Sequence, residues 1–80
     1  MSQTILRLPA VLHERGRSRS SHYLDIEQGL FTSQVQIGAR AVGWPAAEVV
    51  ALNAARIAGR SDEEIRALVK KLESARRAGS

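Results

Sequence analysis

Apolar residues along the 80-residue chain fall into short stretches, and most of these stretches end at a glycine. The first begins at Pro9, a residue type that suits the first turn of a helix, and Val11 and Leu12 give it a short apolar stripe. Gly16 is the residue type that commonly ends a helix in the left-handed conformation. The pattern therefore predicts a first helix over residues 9–15.

A second helix is predicted over residues 18–28. Ser18 is its natural N-cap, because a serine hydroxyl accepts a hydrogen bond from the free N–H groups of a first turn. Gly29 is the expected stop. About three residues separate this helix from the first, so the two form a helix-turn-helix pattern.

Residues 34–44 predict a small β-hairpin. Val35 and Ile37 alternate with glutamines, which is the period-2 pattern of a half-buried strand. Residues 38–40 provide a short turn, and residues 41–44 the returning strand. Trp44 is the largest apolar side chain available, and we expect it to close the core.

Pro45 opens a third predicted helix, which runs to about residue 58 and ends at Gly59. Its expected buried positions are Val49, Leu52 and Ile57. The sequence SDEE at 61–64 then matches a capping box, in which Ser61 caps the helix and Glu64 reaches back to the Ser61 amide.

The fourth predicted helix covers residues 62–78. Its apolar side chains follow helical spacing and are Ile65, Leu68, Val69 and Leu72. Two roles are open for them: packing on their own domain, which so small a chain needs for its core, or a coiled-coil-like seam with a second copy. The whole pattern predicts a mainly α protein with a small β-hairpin, a winged helix-turn-helix over residues 1–60 followed by an amphipathic helix over 61–78.

Charge adds a first indication of function. Lysine and arginine total 12 against 8 acidic residues, for a net charge of +4, and Lys70 and Lys71 are the only lysines. Guanidinium groups bind phosphate and guanine through paired hydrogen bonds, so an arginine-rich chain favours nucleic acid. A GC-rich genome, whose codons favour arginine, gives the same composition without any such function.

Composition also excludes several kinds of protein. The chain has no cysteine, which excludes disulfides and thiolate zinc sites, and no apolar run of membrane-span length or signal-peptide character. Catalysis is not expected, because no glycine-rich phosphate loop with its lysine is present and the two histidines have no cysteine partners. We expect a cytoplasmic, nucleoid-associated protein without metal or cofactor.

The stretch GRSRSSHYL at residues 16–24 gives the second helix an unusual start. In a winged helix-turn-helix the second helix enters the major groove, and the wing contacts the neighbouring backbone. Small hydroxyls at a helix amino end allow a phosphate to approach, and Arg19 is long enough to reach a base edge. Helix capping and ordinary surface polarity explain the same serines without DNA.

Several segments resemble, in order and spacing, the AlpA-type family of prophage regulatory proteins; they are LPAVL, GRSRSSHY, IEQGLF, QVQIGARAVGW, EV and ARI. The resemblance covers roughly residues 5–58, and IGARAVGW followed by EV is its most specific part. That family is related in fold to phage excisionases and MerR-like domains. The resemblance implies a DNA-binding transcriptional regulator or a recombination directionality factor, with an integrase or the transcription machinery as a partner.

Carried over by position, the family pattern matches Ser18, Arg19 and Ser20 at the start of the recognition helix, with Ser21 where threonine is usual. It also matches Tyr23, Gly29 and Phe31, and in the wing Gly38, Arg40, Gly43 and Trp44. Arg40 then becomes the phosphate contact at the wing tip. The residues predicted to contact DNA are Arg17, Ser18, Arg19, Ser20, Ser21, Tyr23 and Arg40.

The chain also departs from the family pattern. Arg17 and His22 stand where an apolar residue is usual, Leu24 and Leu30 where a basic residue is usual, and Thr32 where proline is usual. Asp25 and Glu27 add negative charge to the recognition helix. These changes are expected to weaken DNA binding or to alter the preferred sequence.

Helical geometry assigns the faces of the second helix only in part. At 100° per residue, positions 19, 20, 23, 24 and 27 share one face, and 22, 26 and 29 share another, which the family buries. Tyr23, Ile26 and Leu30 also form an inward stripe, so Tyr23 is assigned either to DNA or to the core. His22 is expected to be a partly buried structural histidine. A protein–protein module that uses the fold without DNA is the alternative function.

Overall fold

The computed structural model describes residues 4–78. Four helices pack around a three-stranded antiparallel sheet, which confirms the predicted fold class. The elements in chain order are β1 (Ile5–Arg7), α1 (Leu8–Arg15), α2 (Arg19–Glu27), β2 (Val35–Gln36), β3 (Val42–Pro45), α3 (Ala46–Ile57) and α4 (Asp62–Ala78). Within residues 4–78, no helix combines the length and the apolar composition that crossing a membrane requires.

The sheet contains one strand more than the sequence predicts. β1 pairs with β3 in antiparallel register, with Leu6 opposite Trp44 and Arg7 opposite Gly43. The hairpin strand β2 pairs with the other edge of β3, so the order is β1-β3-β2. The wing is therefore joined through its returning strand to the segment that precedes α1.

Most of the predicted helix ends are confirmed. Gly16, Gly29 and Gly59 have φ values of 64°, 77° and 75°, the left-handed conformation in which glycine has no Cβ to clash. The capping box is present as well, since the Ser61 amide donates to Glu64 Oε1 at 3.0 Å and the Glu64 amide donates to Ser61 Oγ at 3.2 Å.

Trp44 closes the core as predicted. Its side chain is fully buried, and its indole Nε1 donates to the carbonyl oxygen of Thr32 at 2.8 Å. The remaining buried apolar side chains come from α1, the loop after α2, α3 and α4; they are Val11, Leu30, Phe31, Val49, Leu52, Ile65 and Val69.

Two apolar residues are more exposed than predicted. Ile57 was expected in the core with Val49 and Leu52, but it is 87% exposed. It lies five residues after Leu52, a rotation of about 140° around the helix, so it is on the outer face. Ile37 was expected to alternate inward with Val35, but β2 ends at Gln36 and Ile37 is 43% exposed.

The fourth helix packs on its own chain. Ile65 and Val69 are 1% and 4% exposed, and Leu68 and Leu72 are half-buried against the same core. The four side chains that could have formed a coiled-coil-like seam with a second copy thus pack against the core of their own chain. Polar contacts continue the same face toward the carboxyl end of the helix, because Arg76 pairs with the buried Glu48 and donates to the Ser33 carbonyl oxygen at 2.8 Å.

Candidate nucleic-acid interface

The amino end of α2 is exposed and capped by a serine. Ser18 Oγ accepts a hydrogen bond from the Ser21 amide at 3.2 Å and donates to Ser21 Oγ at 3.0 Å. Ser18, Arg19 and Ser20 are exposed, and Ser21 is half-buried. The serine cluster therefore divides into two groups: Ser18 and Ser21 form the cap, and Ser20 lies beside Arg19 on the solvent side. The positive end of the helix dipole adds to the positive potential here.

The fourth helix leaves this amino end uncovered. Arg66 Nε donates to the Gln28 carbonyl oxygen at 2.9 Å, and the Ser33 amide donates to Glu73 Oε2 at 2.7 Å. Both contacts place α4 against the carboxyl end of α2 and the loop that follows. The exposed surface at residues 17–20 is consequently open to a large ligand.

Arg17 is partly held by Asp25, which lies further along α2. Arg17 Nη2 donates to both oxygens of the Asp25 carboxylate, at 2.8 and 2.7 Å, and the Arg17 side chain is 42% exposed. The same carboxylate accepts from Arg15 Nη2 at 2.7 Å. Asp25 therefore does not add an unpaired negative charge to α2, because its carboxylate is buried and paired with two arginines. The effect of the two acidic residues on DNA binding stays a prediction.

The pairing lowers the pKa of Asp25. Burial alone raises the pKa of this carboxyl, but the hydrogen bonds from Arg15 and Arg17 outweigh the burial and leave the pKa below its ordinary value. The group is ionised throughout the neutral range, and two positive charges face one negative charge. The cluster therefore keeps the turn between α1 and α2 cationic.

Arg15 connects this ion pair to the aromatic core. Its side chain is only 4% exposed, and its guanidinium carbon lies 4.0 Å from the centre of the Phe31 ring, a cation–π distance. Arg15 Nη1 lies 2.7 Å from His22 Nδ1. An arginine N–H only donates, so Nδ1 accepts, and the ring proton resides on Nε2.

His22 is fully buried rather than partly buried, and it is neutral. Its ring meets Phe31 and Trp44 edge to face, at centroid distances of 5.2 and 4.7 Å. Burial, reinforced by the positive charge of Arg15, lowers the pKa of His22 to about 4. Its role is structural, as expected: it joins α2 to the core beneath the exposed surface.

Tyr23 belongs partly to the same packing. It is half-buried against the core, and its ring lies 5.3 Å from that of His22 and 6.5 Å from that of Trp44. Leu24 and Glu27, which share its predicted face, are exposed, with Leu24 at 51%. The outer surface of α2 thus comprises Arg19, Ser20, Leu24 and Glu27, with Tyr23 at its edge.

Arg40 lies at the turn of the wing, on an element separate from α2. Residues 36–40 are exposed, and Gln36 Nε2 shapes the turn by donating to the Gly38 carbonyl oxygen at 2.8 Å. Within residues 4–78, no hydrogen bond or ion pair links Arg40 to the amino end of α2. The guanidinium groups of Arg19 and Arg40 have no such partner anywhere in that range.

Sequence reasoning missed the pairing of Arg15 with Asp25. A signal was present, because Asp25 follows His22 by three residues and so falls on the face of α2 that the family buries. A buried carboxylate needs a cationic partner, and two arginines lie just before the helix.

About two thirds of the chain match the model of a known protein family. The family model described as "Prophage CP4-57 regulatory protein (AlpA)" matches residues 4–56. The chain belongs to the AlpA family of prophage regulatory proteins. The match includes both helices of the helix-turn-helix, the complete sheet and nearly all of α3.

One curated relative of this AlpA-family chain comes from Enterobacteria phage P4, where it is named "Uncharacterized protein ORF88". The two are 47% identical over 58 residues, which is 72% of this chain and 66% of the phage protein, just under two thirds of its length. No solved structure matches the chain.

Proposed function

We propose that this AlpA-family protein binds duplex DNA in a sequence-specific manner, with α2 in the major groove and the wing on the adjacent backbone. The exposed amino end of α2 is the observation that supports this most directly. There Arg19 and Ser20 face solvent, while the helix dipole and the unbalanced arginine of the Asp25 cluster make the surface positive.

The proposed DNA contact of each side chain follows from the length of that side chain and from the hydrogen-bonding groups that it has left to use. Arg19 reads a base edge, with guanine the best match for two parallel N–H donors. Ser18 and Ser20 approach phosphates, and Arg17 contributes the N–H groups that Asp25 does not use. Leu24, exposed on the same face, fits the methyl group of a thymine. Arg40 contacts a phosphate beside the wing.

The biological output of this binding is regulation of prophage genes, either through transcription or through excision with an integrase. The protein accordingly acts in the cytoplasm, on the nucleoid. A promoter reporter and an excision assay on the same prophage locus separate the two outputs, because a pure excision factor leaves the reporter unchanged.

Binding is tested by a mobility-shift titration of duplexes from the neighbouring phage-derived locus against unrelated competitor DNA. We expect one fragment to be retained over competitor. Arg19→Ala should weaken that complex by about tenfold or more, since one good base contact contributes roughly 1–3 kcal/mol. Its thermal unfolding should remain unchanged, because Arg19 makes no contact that the fold requires.

Arg60→Ala is the matched control, because it removes an equally charged side chain that is 60% exposed in the link between α3 and α4. It should change affinity by less than threefold. Normal operator binding by Arg19→Ala would refute the assignment of α2 as the reading helix. Retention of no fragment over competitor would refute sequence-specific binding and favour a protein–protein module.

A further inference from the structure

The excess positive charge of the chain is concentrated in α4. Residues 65–78 carry five of the 12 cations and one of the 8 carboxylates, for a net charge of +4. The remaining seven cations and seven carboxylates balance, and they include those of α2 and the wing. Attraction to a polyanion depends on excess positive charge, so α4 is the main source of that attraction in this protein. The five cations are Arg66, Lys70, Lys71, Arg76 and Arg77, and the carboxylate is Glu73.

The charged side chains in the second half of α4 are engaged within the chain. Arg76 pairs with the buried Glu48, and Arg77 also interacts with another group. Glu73 Oε2 accepts from the Ser33 amide at 2.7 Å and from Ser33 Oγ at 3.0 Å. The cations left for another molecule are therefore those in the first half of the helix.

Helical geometry separates these three cations into two groups. At 100° per residue, Lys70 lies about 40° around the helix from Arg66, whereas Lys71 lies about 140° from it. Lys70 and Lys71 are exposed, and neither has a hydrogen bond or an ion pair within residues 4–78. Arg66 and Lys70 thus form one cationic stripe, and Lys71 points to a different side.

The stripe begins at the carboxyl end of α2. Arg66 Nε donates to the Gln28 carbonyl oxygen at 2.9 Å, and a Cβ at Gly29 would lie 3.7 Å from Arg66 Cγ. The side chain therefore runs beside the turn that ends α2, where its guanidinium offsets the partial negative charge of the last carbonyl groups. In the part of the chain that the structure describes, Nη1 and Nη2 of Arg66 have no hydrogen-bond partner. Their N–H groups are left for another acceptor.

We propose that Arg66 and Lys70 bind phosphates of the duplex on the side of the major groove where α2 ends. This inference rests on the proposed function, which places α2 in that groove. The nine residues of α2 span about 14 Å and the groove is about 12 Å wide, so a helix that starts at one wall reaches the other. The paired Nη donors of Arg66 match two oxygens of one phosphate, and Lys70 adds a point charge one turn further along α4.

The salt dependence of DNA affinity tests this contact against a matched control. Anisotropy titrations at several salt concentrations give the slope of log affinity against log salt. Arg66→Gln combined with Lys70→Gln should lower the slope by about 1.8, since each phosphate contact contributes about 0.9. Lys71→Gln removes one charge from another side of the same helix and should lower the slope by less than about 0.3. Equal effects of Lys70→Gln and Lys71→Gln would overturn the proposal, because only the charge of the helix would then matter.

Lys70→Gln alone keeps the test independent of the fold. Arg66→Gln removes a group that joins α4 to α2, so thermal unfolding of every variant is measured first. Lys70 has no partner in the described part of the chain, so its replacement should leave the unfolding temperature unchanged. The slope should nevertheless fall by about 0.9. A folded Lys70→Gln variant with the original slope would refute the stripe.

Specificity distinguishes a phosphate contact from a base contact. Loss of a phosphate contact weakens binding to the specific fragment and to an unrelated duplex alike. In the double variant the ratio of these two affinities should therefore stay within about twofold of the original. Arg19→Ala should lower the same ratio. A ratio that fell as far in the double variant would mean that α4 reads bases, contrary to the proposal.

The outcomes also separate this inference from the proposed function. If no fragment is retained over competitor, sequence-specific reading fails, and slopes on an unrelated duplex still compare Lys70→Gln with Lys71→Gln. If one fragment is retained but the double variant keeps the original slope, only the contact by α4 fails. If no duplex is bound at any salt concentration, both fail.

Discussion

Arg17 donates from Nη2 to both carboxylate oxygens of Asp25, at 2.8 and 2.7 Å, across the first turns of α2. The bond fixes an arginine that precedes the helix to a carboxylate within it. One edge of the guanidinium is thereby held, and the rest of the group remains at the surface. In a DNA complex, an arginine held in this way loses less conformational freedom than a free one.

Asp25→Asn should destabilise the fold by about 3 kcal/mol. Arg15 is 4% exposed and would lose its counter-charge, and a buried charge without its partner typically costs 3–5 kcal/mol. Urea unfolding of the purified variant measures the change. Glu27→Gln removes an exposed carboxylate from the same helix and should change stability by less than about 0.5 kcal/mol. Equal losses in the two variants would contradict a special role for the buried pair.

His22 should make the fold sensitive to mild acid. Its pKa is about 4 in the folded protein against 6.5 for the free group, so the unfolded chain binds the proton more tightly. The free energy of unfolding therefore has its full value above pH 6.5 and decreases as the pH falls toward 4. For a shift of this size the total decrease is about 3 kcal/mol. Asp25, whose pKa is also lowered, adds a further loss at still lower pH.

The measurement is a series of urea titrations between pH 7 and pH 4.5. His22→Asn retains an acceptor for Arg15 but has no proton to gain, so its stability should change little over this range. A variant that retained the full pH dependence would show that another group is responsible.

Gly43→Ala should damage the sheet that supports the wing. A Cβ at position 43 would lie 2.5 Å from Ile5 Cγ2 and 2.8 Å from the Leu6 carbonyl oxygen, which is backbone and cannot move aside. We expect a loss of about 2 kcal/mol, within the range for overpacked sites. Gly38→Ala is the control, because its Cβ meets only Ala41 Cβ, at 3.6 Å. Thermal unfolding compares the two, and a larger loss for Gly38→Ala would contradict the close approach of β1 to β3.

Arg40→Ala should reduce the salt dependence of DNA binding. Each phosphate neutralised contributes about 0.9 to the slope of log affinity against log salt, so loss of one contact lowers the slope by about that amount. Anisotropy titrations at several salt concentrations give the slope, and Arg40→Lys should preserve it. A slope that does not change in Arg40→Ala would exclude Arg40 from the phosphate contacts.

Local signals in the sequence are sufficient to predict the helices and the wing. Ser18 caps α2 because its hydroxyl reaches an amide only three residues away, and Gly16 ends α1 through its own conformation. Trp44 was predicted to be buried because no other side chain of its size is present to close the core. Such features depend on a few neighbouring residues, and they can be inferred without knowledge of the fold.

Features that depend on distant partners were not accessible in this way. The strand at Ile5–Arg7 has only three residues, and it exists because β3 offers an unpaired edge nearly 40 residues later. The burial of Asp25 likewise depends on Arg15 and Arg17 meeting it across a turn. Ile57 was assigned to the core by residue type alone, whereas its angle around α3 places it outside.

The family match ends at residue 56, yet Ile65 and Val69 of α4 contribute to the same buried cluster as residues within the match. A segment that replaced α4 would have to cover this surface with apolar side chains and also supply a cation for Glu48, which is buried and paired with Arg76. This protein should therefore accept another tail as long as the two inward side chains are conserved in size and the cationic partner of Glu48 is retained. A different tail would then change the charged surface of the protein while the packing beneath it stayed the same.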